Sequence, residues 1–161
     1  MTTHRYATNV TWEGSTGVGY DNFDRQHTGR VAPVASAIEL SGDPAFRGDA
    51  SNLNPEQLLV LAASSCQLLS FLAVAARARI DVVSYCDDAV AEMPDDGQKT
   101  RITRITLRPR IRVRGDVSDS RVLHLVEVGH RECYIANSLT TEVVVEPVIE
   151  RETGEMSPPP D

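Results

Sequence analysis

Apolar and polar positions change period several times along the chain, and each change marks an element. The longest apolar stretch is NPEQLLVLAASSCQLLSFLAVAARAR, residues 54–79, where no charge occurs from Leu58 up to Arg77. Asn54 is a favourable N-cap, and Pro55 suits a first helical position because its missing N–H has no partner there anyway. The pattern predicts a helix ending near Arg79. Its apolar residues lie on every side, which predicts burial all round inside a protein core. The stretch approaches bilayer-spanning length, but Ser64, Ser65, Cys66, Gln67 and Ser70 interrupt it. From Thr103 to Val113 the odd positions are Thr, Ile, Leu, Pro, Ile and Val. The even positions from Arg104 to Arg114 are Arg, Thr, Arg, Arg, Arg and Arg. Period two of this kind predicts a long strand with one apolar face.

The remaining segments are shorter. Residues 5–13 and 31–40 predict strands, with Pro33 placing the second at an edge or an end. Residues 14–30 carry four glycines and predict a loop or irregular hairpin. Residues 41–53 predict a loop. Residues 80–93 predict a strand leading into an Asp-Gly turn. Residues 118–131 predict a helix capped near Ser118, and residues 139–149 a last strand. The tail, 151–161, is expected to be disordered. Strands, long helix, hairpin, helix and strand in that order predict an α+β fold, with antiparallel sheets packed around a long buried central helix.

Length and charge narrow the function. The 161 residues suit one domain, expected over 1–150. A net charge of −7 argues against wholesale nucleic-acid binding. The first ten residues lack the apolar core of a signal peptide, and three cysteines form no dense framework, so a reducing cytoplasm is expected.

The candidate chemistry is in the thiols. A buried thiol is usually inert, and a working one needs a cation or dipole to hold its thiolate. Cys66 lies mid-helix, where a helix N-terminus cannot activate it unless the helix breaks nearby; a packed core thiol is the alternative. Cys133 follows the second helix, a plausible place for an accessible thiol, with burial again the alternative. Cys86 lies within a strand and reads as structural. His130 and Cys133 have an i, i+3 spacing, but no second such pair exists, so no metal site is expected. The arginines at 104, 108, 110, 112 and 114 read as a solvated strand face, or as a surface for an acidic partner.

Two of these stretches carry a resemblance. NPEQLLVLAASSC resembles the helix motif of the OsmC/Ohr family, in which Asn-Pro-Glu leads through small and apolar residues to a cysteine. HRECYIANSL is similar to that family's second cysteine motif, and the separation of 67 residues between Cys66 and Cys133 suits the family. The likeness extends over roughly residues 8 to 147. It departs from the common pattern at Tyr134, where proline is frequent, and at Ser64, Ser65 and Gln67, as in an outlying branch.

The resemblance implies an intertwined OsmC-like homodimer and thiol-dependent reduction of organic hydroperoxides. No cofactor is implied. Cys66 is then the peroxidatic thiol and Cys133 the resolving thiol. Glu56 is the carboxylate that orients an arginine, and the reductant is a dithiol such as a lipoylated protein. The family takes its arginine from a segment before the helix. Arg25, on a glycine-flanked loop, is the preferred candidate, ahead of Arg47 and Arg30. Glu56 and Cys66 would lie about 15 Å apart along a straight helix. Either the helix bends near Ser64 or Glu56 acts indirectly. The alternative function is a noncatalytic OsmC-like dimer that binds an apolar ligand or serves as a thiol switch.

Overall fold

The computed structural model describes residues 2–97 and 99–152. Within the span expected to form one domain, two compact units are distinguished, Met1–Leu59 and Val60–Asp161. In the first, β1 (Asn9–Thr11), β2 (His27–Arg30) and β3 (Ile38–Leu40) form an antiparallel sheet in the order β1-β2-β3. The stretch expected as a loop or irregular hairpin, 14–30, joins β1 to β2 and ends in β2 itself, with Thr28 opposite Thr11 in β1 and opposite Glu39 in β3.

Helix α1 (Pro55–Arg77) begins in this unit and continues into the second. Asn54 caps it as predicted. Its Oδ1 accepts from the Gln57 amide (2.8 Å), and Gln57 Oε1 accepts from the Asn54 amide (3.0 Å), a reciprocal pair that satisfies two otherwise orphaned donors. The helix closes at Arg79, which takes a left-handed conformation (φ 59°) while the Ile80 amide reaches back to the Ala75 carbonyl. No break interrupts α1 near Ser64.

The second unit contains β4 (Asp81–Asp87), β5 (Val90–Glu92), β6 (Arg104–Leu107), β7 (Pro109–Arg114), α2 (Asp119–Arg131), α3 (Tyr134–Asn137), β8 (Glu142–Val145) and β9 (Val148–Arg151). Each long strand expected here is broken once. The breaks are tied together: Asp87 accepts from the Arg108 amide (2.6 Å), and the Leu107 carbonyl accepts from the Glu146 amide (2.8 Å). The sheets run β4-β7-β9 and β5-β6-β8. β4/β7 and β5/β6 are antiparallel, as hairpin partners are. β6/β8 and β7/β9 are parallel, because α2 intervenes as a crossover and returns the chain in the same direction.

The period-two pattern holds through the break. Ile105, Leu107, Ile111 and Val113 are buried, while Arg110, Arg112 and Arg114 point to solvent. Ile111 and Val113 join Phe71, Val74 and Ala75 of α1 and Val122, Leu125 and Val126 of α2 in one core. That sheet face and α2 cover only one stripe of α1: Ala63, Gln67, Phe71, Val74 and Ala75. Burial all round is not what the single chain provides, for Leu61 is 58% and Leu69 64% exposed.

The arginine row is neutralised within the chain. Arg104 pairs with Glu142, Arg108 with Glu146, Arg112 with Glu150, and Arg114 with Glu152 and Asp81, while Arg110 pairs with Asp88. Exposed ion pairs of this kind each contribute little, because water and salt screen them. Arg151 and Glu152, expected in the tail, belong to this assembly: Arg151 ends β9 and pairs with Asp119. Residues 153–161 lie outside the described residues.

Candidate functional site

Cys66 and Cys133 come together in the second unit. Cys66 sits on α1, half-buried; Cys133 is the N-cap residue of α3 and is only 1% exposed. This reverses the expected accessibilities, since the helix thiol is the open one and the turn thiol the closed one. The turn after α2 folds inward because α3 begins at once, with the Asn137 amide bonding the Cys133 carbonyl (3.0 Å). The Ile135 amide, in the first turn of α3, donates to Cys66 Sγ (3.5 Å). Cys66 thus obtains a helix N-terminal amide from a different helix, with no break in its own.

Burial pushes the Cys133 thiol from an ordinary 9.0 up to about 11. A hydrogen bond and charge interaction with Cys66 add to the rise, and the Ala136 and Ile135 amides oppose it. Burial also raises the Tyr85 hydroxyl, with the charges of Asp87 and Cys133 adding to it. That hydroxyl is buried without a hydrogen-bond partner among the described residues. Asp87 accepts from Ser64 Oγ (2.5 Å), which fixes the β4 end against α1 two residues before Cys66. Cys86 stands apart from the pair, exposed on β4 with Arg110 Nη2 3.7 Å from its sulfur.

Arg25 is described within the first unit. Its guanidinium donates to the Phe23 and Tyr20 carbonyls, both at 2.7 Å, and lies 3.9 Å from the Phe23 ring centroid. Among the described residues it has no carboxylate partner, whereas Arg47 pairs with Asp21 at 2.9 Å. His27 Nδ1 hydrogen-bonds the Arg25 carbonyl (2.8 Å) and so shapes the same loop. Arg25 lines a cleft of about 330 Å³ with Trp12, Phe23, His27 and Pro55, the residue before Glu56. Glu56 is half-buried in the first turn of α1. Ten residues of continuous helix separate it from Cys66, a rise of about 15 Å for ideal helix geometry.

Sequence reasoning missed three participants. The Ile135 amide is backbone, so no side-chain signal marks it. Tyr85 is one aromatic in a strand. Gln67 reads as an interruption of an apolar run, yet it is fully buried, its Nε2 donating to the Val126 carbonyl (3.4 Å) and its Oε1 accepting from His130 Nδ1 (3.2 Å).

The family model of OsmC-like proteins matches residues 48–148, which include both cysteines. The chain belongs to the OsmC-like family. Among solved structures, an OsmC-like protein of unknown function from Vibrio cholerae is similar over 91% of this chain and 100% of its own, with 31% identity and a TM-score of 0.81. An organic hydroperoxide resistance protein from Elizabethkingia anophelis shares 16% identity over 94% of this chain and 100% of its own, at a TM-score of 0.67. One from Legionella pneumophila shares 16% identity over 91% and 98%, at 0.64. No match is found among curated proteins. The OsmC-like fold is thus that of a mixed molecule with small sheets and a central helix, shared with proteins named for organic hydroperoxide resistance.

Proposed function

We propose that this OsmC-like protein is a two-thiol peroxidase that reduces organic hydroperoxides. The observation that carries the reading is the meeting of Cys66 and Cys133, which lie 67 residues apart in sequence and interact through their side chains. The half-open Cys66 thiolate attacks the distal peroxide oxygen. The O–O bond breaks, the alkoxide leaves as the alcohol, and Cys66 becomes a sulfenic acid. Cys133, as thiolate, attacks the Cys66 sulfur; the S–O bond breaks, hydroxide leaves as water, and a disulfide remains. An external dithiol such as a lipoylated protein returns both electrons by exchange. On the family resemblance, Arg25 is proposed as the cation that holds the Cys66 thiolate, with Glu56 acting on it indirectly.

A homodimer is part of the same proposal. The exposed Leu61 and Leu69 on an otherwise apolar helix support it, since one small sheet leaves them in water. Stoichiometric cumene hydroperoxide is expected to make an intramolecular Cys66–Cys133 disulfide and to leave Cys86 reduced. Peptide mapping after oxidation checks this, and a dominant disulfide through Cys86 would sink it. Disulfide formation without turnover on a lipoyl dithiol, with Cys66→Ser as control, would favour the noncatalytic switch instead.

A further inference from the structure

Cys66 is carried by α1 and Cys133 follows α2, so the α1–α2 contact sets how far apart the thiols stand. That contact is specified beside each of them. Gln67, the residue after Cys66, sends both ends of its amide to α2, to the Val126 carbonyl and to His130 Nδ1. His130 is in the last turn of α2, and its carbonyl accepts from the Cys133 amide (3.1 Å). A short chain of contacts therefore runs from Cys66 through Gln67 and His130 to Cys133. Because the glutamine oxygen only accepts, Nδ1 is the donor in this contact. Gly129 permits the approach: a Cβ there would lie 2.9 Å from Phe71 Cα and N.

A buried amide is costly unless satisfied, and a leucine would fill the same slot without hydrogen bonds. What the glutamine adds is a fixed alignment of the two helices. We infer that Gln67 and His130 form a positioning clamp that sets the effective concentration of the Cys133 thiol at Cys66. The inference rests on the two-thiol reading above and deepens it. The clamp adds no chemical step. It governs how readily the Cys133 thiolate reaches the Cys66 sulfur, and hence how stable the disulfide is against outside thiols.

The test uses no peroxide. Wild type, Gln67→Leu, His130→Leu and His130→Asn, each with Cys86→Ser to leave only the pair, are equilibrated in glutathione redox buffers. The Cys66–Cys133 disulfide is then quantified by mass spectrometry. Gln67→Leu is expected to weaken the disulfide about tenfold, or about 30 mV for a two-electron couple. His130→Leu should do the same, and it carries the test if Gln67→Leu does not fold. His130→Asn keeps an amide donor where Nδ1 stands and should remain within about threefold of wild type. A merely structural glutamine would lower the melting temperature and leave the redox equilibrium unmoved. The clamp is overturned if Gln67→Leu and His130→Leu keep the wild-type constant, or if His130→Asn falls as far as His130→Leu. A wild type that forms the disulfide in glutathione but does not reduce peroxides refutes the peroxidase and leaves the clamp standing. A wild type that forms no disulfide refutes both.

Discussion

Cys133 is the more deeply buried thiol of the pair, and its burial decides how the pair responds to pH. Its pKa stands near 11 in the folded chain, against an ordinary 9.0. Below that value the thiolate fraction grows about tenfold per pH unit, and only the thiolate attacks. Single-turnover disulfide formation from the Cys66 sulfenic acid is therefore expected to accelerate by about that factor per unit from pH 7 upward. A flat profile in stopped-flow would show that the thiolate is already formed. The linked stability effect has the opposite sign. Between 9 and 11 the unfolded chain has lost a proton that the native state still holds, so stability falls as pH rises through that window. The cation gives a second residue-scale test. Arg25→Ala is expected to slow peroxide reduction by on the order of 100-fold, about 2.7 kcal/mol. Arg47→Ala, at an exposed ion pair with Asp21, should change the rate by less than about threefold. Second-order rates with an organic hydroperoxide decide between them, and a silent Arg25→Ala beside a damaging Arg47→Ala would move the cation to the loop beside α1. The two cysteines were legible because motif residues surround each of them. Their exposures were not, because burial of Cys133 depends on α3 turning inward, and neither Tyr134 nor Ile135 announces that turn.

Helices α1 and α2 meet through a glycine, and the element scale turns on that contact. With Phe71 backbone 2.9 Å from where a Cβ at position 129 would stand, the nearest atoms cannot swing aside as a side chain would. Gly129→Ala is expected to cost about 2 kcal/mol by prising the helices apart, read as a lower denaturation midpoint with an unchanged slope. A variant as stable as wild type would show that the helices shift without penalty. Helix starts were legible here, since Asn54 and Ser118 cap where their side chains can reach orphaned amides. Strand direction was not. Alternation reports which face a residue occupies and says nothing of the neighbour's polarity, so the parallel pairs β6/β8 and β7/β9 emerge only once α2 is seen to cross over.

At the scale of the whole molecule, the apolar surface of α1 makes association the expected state. Sedimentation at low micromolar concentration should give about twice the chain mass, and Leu69→Glu should lower it toward one chain. A folded wild-type monomer at that concentration would rule the dimer out. The arginine ladder has a consequence of another kind. Four of its pairs share one sequence offset, 38 residues. Sliding β8 and β9 by two residues keeps every side chain on its proper face, so the apolar core alone barely penalises that error. The charges do. A slide one way would set Arg104 against Val144 and Arg108 against Val148; a slide the other way would set Arg108 against Val144 and Arg112 against Val148. Only the native offset matches all four. Each pair is weak alone, but together they act like the teeth of a vernier scale, proofreading an alignment that hydrophobicity leaves degenerate.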